Sequence, residues 1–177
     1  MQFMQGGDFT HKSQEVIIQA QSISREKEQQ QVDALHLLLA LLSQGESIVI
    51  TILKRTQIDI ESLKRKTEKA IDKISQTSAE QTLGRFYLTQ DLAQVLERAK
   101  QEAMKMGDEF ISIEHLFLSL LVCPTRAKII LESAQINSDT FLKNLVEIKG
   151  DEKITDPNPE SKCDVIKKYA RNLTDEA

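Results

Sequence analysis

Apolar and polar positions alternate at the helical period in one segment of the chain after another. Val16, Ile17, Ala20 and Ile23 fall on a single stripe, and so do Leu92, Val95, Leu96 and Ala99. Ile60, Leu63, Ala70, Ile71 and Ile74 make a third. Leu37 to Leu42 is apolar without a break, the pattern of a helix buried on all sides. Residues able to cap a helix stand before these segments: Thr10, Asp33, Ser47 and Asp59, then Thr89, Ser112, Thr125 and Ser138. Each offers a side-chain oxygen to an orphan N–H of the opening turn. Gly45, Gly107, Pro124 and Gly150 mark stops. Ser75 to Tyr87 is polar, contains Gly84 and reads as a loop.

The segments repeat. Val32 to Leu42 aligns without a gap on Ile111 to Leu121, which carries His36 onto His115 at an offset of 79. The same offset pairs Thr10 with Thr89, Val16 with Val95, Ile17 with Leu96 and Ala20 with Ala99. After one lost residue, Gln57-Ile58-Asp59 pairs with Gln135-Ile136-Asn137 at an offset of 78. Ungapped self-similarity of this length marks a duplicated structural unit. The predicted fold is all-α: two tandem four-helix repeats, 9–74 and 88–149, packed as a pseudo-twofold eight-helix bundle within a domain spanning 1–150. Each repeat alone has little core, so the two are expected to fold as one cooperative unit. Glu28 stands where the repeat would place the counterpart of Gly107, which predicts a first helix running past that point. Beyond Gly150, Asp156-Pro157-Asn158-Pro159 disfavours helix and extends the chain, so 151–163 reads as a linker. Residues 164–177 resume helical character with too little apolar surface for a domain.

Composition narrows the function. Hydrophobic residues make up 40% and charged residues 28%, an ordinary balance for a folded soluble chain. The net charge is −4 with both signs interspersed, and the side chains of Lys64-Arg65-Lys66 diverge around a helix. That argues against nucleic acid, which demands a concentrated basic face. No apolar run approaches the roughly 18 residues of a membrane span, and Met1 to Asp8 lacks the basic and apolar regions of a signal peptide. Cys123 and Cys163 form no CxxC pair. The chain is expected in the cytoplasm.

Chemistry is sparse. The six glycines begin no phosphate-cradling loop, so no nucleotide site is expected in this chain. Glu114-His115 lacks the second His that a His-Glu-x-x-His zinc helix requires, and no other metal or cofactor set is present. His36 and His115 occupy equivalent places inside apolar helices, the setting of a satisfied core or interface histidine. A Cys123–His115 nucleophilic pair would rest on spacing alone. No residue is assigned a catalytic role.

The duplication, the Thr-opened first helix and Gly107-Asp108-Glu109-Phe110-Ile111-Ser112-Ile113-Glu114-His115-Leu116 together resemble the N-terminal domain of Clp chaperones. Ile154-Thr155-Asp156-Pro157-Asn158-Pro159-Glu160 and Lys168-Tyr169-Ala170-Arg171-Asn172-Leu173-Thr174 look like the lead-in to the first AAA+ module of ClpB-type disaggregases. The resemblance implies a substrate- and adaptor-recognition domain on a hexameric, ATP- and Mg-dependent unfoldase, with 164–177 opening its first ATPase module. It implies unfolded protein clients or adaptor proteins as partners, and a monomeric isolated fragment without ATPase activity. A ClpC- or ClpA-type unfoldase subunit of a protease, or a free-standing adaptor, are the alternatives.

The same resemblance implies an apolar client groove flanked by a polar cluster. The matching positions are Thr10, Asp108 and Glu114 for the cluster, and Leu96 and His115 for the groove. In ClpC-type relatives an acidic pair docks phosphorylated arginine, and Leu35 replaces half of that pair here. Each position also has a local reading. Thr10 is an N-cap, Asp108 follows a glycine stop, Leu96 belongs to an apolar stripe, and Glu114 suits a helix N-terminus, where the macrodipole favours a carboxylate.

Overall fold

The computed structural model describes residues 8–74, 87–150 and 152–158. Among them are eight helices: α1 (His11–Glu26), α2 (Ala34–Leu42), α3 (Ile48–Arg55), α4 (Ile60–Asp72), α5 (Gln90–Lys105), α6 (Ile113–Val122), α7 (Arg126–Ser133) and α8 (Ser138–Lys149). The fold is all-α, as the sequence repeat predicts. Two residue pairs, β1 (Gln31–Val32) and β2 (Tyr87–Leu88), add a minimal parallel ladder. Tyr87 therefore leaves the expected loop one residue early, and the rest of that loop, 75–86, lies outside the described residues.

Local chemistry sets most helix ends. Thr10, Asp33, Ser47, Asp59, Thr89 and Thr125 each accept a backbone N–H of the turn they open. The cap of α8 is Asn137 rather than the expected Ser138. Its side chain accepts from Thr140 N at 2.8 Å, in the place that Asp59 fills in the first repeat. Helix α2 ends at Leu42, so Gly45 follows the stop instead of making it.

The first helix does not run on past Glu28. It ends at Glu26, the counterpart of Lys105, because Glu28 enters the left-handed region at φ +56, as Gly107 does at +72. A side chain there costs roughly 1–2 kcal/mol. The turn is held by Glu28 N–H to Arg25 O, Gln29 N–H to Ser24 O, and the buried Ser24 hydroxyl donating to Gln29 O at 2.6 Å.

The two repeats interlock. All of α2 is buried, as is α6 from Ile113 to Leu121, and the two pack together at the centre. Helices α1 and α4 cover α2, while α5 and α8 cover α6. The third helix of each repeat crosses over: α3 packs on α6 and α8, and α7 on α2 and α4. Backbone bridges cross in the same sense, Phe9 pairing with Ile111 and Val32 with Leu88. Thr10 N–H donates to Ile111 O and Thr89 N–H to Val32 O, both at 3.0 Å. These exchanges are what a pseudo-twofold axis requires, and they leave a single shared core.

Residues 152–158 are extended and lie against the body. Glu109 N–H donates to Ile154 O and His11 N–H to Pro157 O, both at 2.7 Å, and Ile154 is buried. Of the segment expected as a linker, 151 and 159–163 lie outside the described residues, as do 164–177.

Candidate functional site

The His of each repeat sits three residues after a helix cap, the position normally held by Glu or Gln in a capping box. Asp33 N–H donates to His36 Nδ1 at 2.8 Å, and Ser112 N–H to His115 Nδ1 at 2.9 Å. A backbone N–H cannot accept, so Nδ1 is the acceptor and Nε2 carries the proton. The imidazole thus has a second arm that a carboxylate lacks, a rigidly placed donor pointing away from the cap. His36 Nε2–H donates to Gln29 Oε1 at 2.7 Å, and His115 Nε2–H to Asp108 Oδ2 at 2.8 Å. Gln29 and Asp108 lie just beyond the turns that end α1 and α5, so each His fastens a loop to a central helix.

The two copies then diverge in charge. In the first, Gln29 Nε2–H donates to Ile71 O at 2.8 Å and Ile74 O at 3.2 Å, closing the end of α4 with neutral groups. In the second, Lys149 at the end of α8 lies 3.5 Å from Asp108 Oδ2 and 3.4 Å from Glu114 Oε1. Asp108 Oδ1 also accepts Ile154 N–H at 2.8 Å, which ties down the extended segment. The charged residues 108, 114 and 149 correspond to Gln29, Leu35 and Ile71, all neutral and all buried.

Burial alone would raise the Asp108 carboxyl. The His115 hydrogen bond, the Ile154 N–H and the Lys149 charge together outweigh it and hold the group below its ordinary value. Around His36, burial is the main influence and depresses the imidazole, with the Arg126 charge adding to it and Asp33 opposing. Burial also pushes the Cys123 thiol up, and its Sγ–H points at Gln94 O 3.9 Å away. That is an inert setting for a thiol. Among the described residues, no group of three or more His, Cys, Asp or Glu could hold a metal ion. No helix there is long and apolar enough to cross a membrane.

Lys149 brings Asp108, His115 and Glu114 into one network. Thr10 joins through its backbone bond to Ile111, while its side chain caps α1 through Ser13. Leu96 stands outside the network, 4% exposed in the apolar stripe of α5. All five residues are buried, Asp108 the most open at 8%. Lys149 was not singled out from the sequence. The signal was present, because the 78-residue offset places this Lys on Ile71 of an inward-facing stripe.

Exposed apolar side chains continue from the cluster. Leu142 and Val146 follow one another on the face of α8 that leads to Lys149, and are 38% and 56% exposed.

Residues 8–134 match the family model of the Clp repeat N-terminal domain, and the chain belongs to that family. It is 36% identical over 168 residues to the chaperone protein ClpB of Bacillus cereus, a span covering 94% of this chain and 19% of that relative. The Hsp104 N-terminal domain of Candida albicans shares the fold with a TM-score of 0.74 at 22% identity, covering 85% of this chain and 97% of that one. A complex of a ClpV N-domain with a VipB peptide also shares it, at a TM-score of 0.56 and 19% identity, covering 84% and 91%. The chain spans about a fifth of the length of the curated ClpB relatives it matches.

Proposed function

We propose that this domain recognises protein segments, unfolded clients or adaptors, for a ClpB-type disaggregase whose ATP- and Mg-dependent AAA+ modules follow it in a hexamer. The observation carrying this is the 36% identity to a ClpB over 94% of the chain, a stretch that accounts for 19% of that chaperone. The ClpV N-domain complex adds that a domain of this fold can hold a peptide.

The client contact on this reading is the Leu142–Val146 stripe beside the Asp108–Glu114–Lys149 cluster, apolar surface framed by charge. Thr10, Asp108, Glu114 and His115 act by holding that corner in shape, since burial keeps them from broad contact with a client, and Leu96 acts through the α5 core. A recognition domain on a motor must also release what it catches. A Kd on the order of ten micromolar, about −7 kcal/mol, is within reach of a few apolar side chains.

The isolated chain should slow the aggregation of a heat-unfolded protein, bind no folded control and hydrolyse no ATP. The reading frame beyond Ala177 tests the attachment to a motor. A phosphate loop there supports it, and an immediate stop codon contradicts it.

A further inference from the structure

The chain is acidic overall, yet one depression is lined by four cations and, among the described residues, by no carboxylate. It lies between α4 and α7 and holds about 260 Å³. Lys66 and Lys69 lie on α4 at helical spacing, and Lys73, the residue that caps its C-terminal end, continues the same row. Arg126 closes the row from the first turn of α7. The floor is apolar, formed by Ala70 and Ile130 with Ile129, which is 67% exposed.

Acids on these two helices engage elsewhere. Asp72 pairs with Lys27 at 2.7 Å and Glu68 acts on the same lysine through its charge, Glu61 lies 3.6 Å from Lys64, and Glu132 lies 3.7 Å from Lys128. The depression therefore concentrates positive charge on a net-negative chain. Arg126 is only loosely offset, 3.8 Å from Asp33 Oδ2.

The pseudo-twofold supplies an internal control. The equivalent face lies between α8 and α3, where Asn144 and Glu147 replace Lys66 and Lys69. There Arg55 bridges to Glu147 at 2.7 Å, a mixed and self-satisfied surface. The basic row is thus a departure of one copy, not a by-product of the fold.

We propose that the α4–α7 trough docks a short acidic segment of a partner protein. Its carboxylates lie over Lys66, Lys69, Lys73 and Arg126, and one aliphatic side chain rests on Ile129. The volume falls below the roughly 300–1,000 Å³ of small-molecule sites, and suits a side chain or two. A polyphosphate or nucleic acid would use the cations and leave the exposed Ile129 idle, so the apolar floor favours a peptide. Complementary charge sets the approach and the register, and seating on Ile129 holds the segment. This site is separate from the α8 client face and stands without it.

The test uses the whole chain and a fluorescein-labelled twelve-residue peptide in which single Leu residues separate pairs of Glu. Anisotropy at low salt should show saturable binding, about tenfold weaker when every Glu is replaced by Gln. Lys69→Glu with Lys73→Glu should weaken it by about tenfold or more, and Ile129→Ser by about fivefold, with unchanged circular dichroism because all three are exposed. Oligothymidine of matching charge is the competitor for the other reading. Equal affinity for oligothymidine with no effect of Ile129→Ser would overturn the peptide site in favour of a polyanion site. No binding, or binding indifferent to both sets of variants, would overturn it outright.

Discussion

Gln29 and Asp108 stand 79 residues apart and take the same hydrogen bond, each accepting the Nε2 proton of its own repeat's histidine at 2.7 and 2.8 Å. One is an amide and the other a carboxylate. The amide spends its N–H donors on carbonyls at the end of α4. The carboxylate has no donor, and its second oxygen accepts the N–H of Ile154 instead. A single change of side chain thus converts an internal clasp into one that holds the segment leading away from the domain.

Asp108→Asn should release that segment. The new amide can still accept from His115, but its NH2 then meets the Ile154 N–H. Hydrogen exchange at Ile154 should accelerate by about tenfold or more while α2 stays protected, and stability should fall by roughly 1–3 kcal/mol. Below about pH 4 the gap should narrow. A carboxyl held below its ordinary value stabilises the fold above that value and loses the contribution as pH falls through its folded pKa. Unchanged protection at Ile154 would contradict the clasp.

His36 should make stability depend on pH near neutrality. Its folded pKa lies below the ordinary 6.5, so the unfolded chain takes up the proton first. The contribution is complete above 6.5 and declines as pH falls toward the folded pKa, by at most about 1.4 kcal/mol per pH unit. Protonation would also put a hydrogen on Nδ1, facing the Asp33 N–H. Gln at this position keeps the capping box without the titration. Urea melts between about pH 7.5 and 5.5 should therefore show a flatter profile for His36→Gln than for the parent. Parallel profiles would rule His36 out.

Helix starts were legible because an N-cap is a local transaction between one side chain and the next turn. Thr10, Asp33, Ser47, Asp59, Thr89 and Thr125 perform it as their types suggest. Asn137 and Ser138 are adjacent and both competent, so type alone could not choose between them. The ends were harder to read, since Glu28 accepts a left-handed conformation only because Ser24 and the following bridge hold the turn. The candidate cluster was legible in part. Asp108, Glu114 and His115 do meet, but the crossed packing of α3 and α7 and the reach of Lys149 are tertiary facts with no local signature.

Glu28→Gly should stabilise the domain. Glycine enters the left-handed region without the Cβ clash, though it costs more backbone entropy on folding. The net gain should be about 0.5–1 kcal/mol, visible as a higher Tm. A lower Tm would mean that the Glu28 side chain contributes more than its strain.

The repeats should not fold separately. Residues 8–74 and 87–150 expressed alone would each expose the face of a central apolar helix and strand the crossed α3 or α7. Each piece should lack a sharp thermal transition, whereas the intact chain melts in one step. Two pieces with sharp transitions of their own would contradict the shared core.

Capture of an unfolded chain on the α8 face tests the recognition account most directly. The probe is fluorescein-labelled lactalbumin, reduced and alkylated so that it stays unfolded, and the readout is its anisotropy as this domain is titrated in. Leu142→Ser with Val146→Ser should weaken capture by about tenfold, roughly 1.4 kcal/mol, and leave the melting temperature nearly unchanged because both side chains are exposed. Glu114→Gln should shift the affinity less, by removing one of the two charges that hold Lys149. Leu96→Gln is the structural control. Burying an amide at a core position should lower the melting temperature, and any loss of capture would follow from that. Tenfold weaker capture by the α8 double variant in an intact fold is the predicted result. Undiminished capture by that variant would contradict the α8 face as the client site, and no capture by the parent domain would contradict client recognition itself.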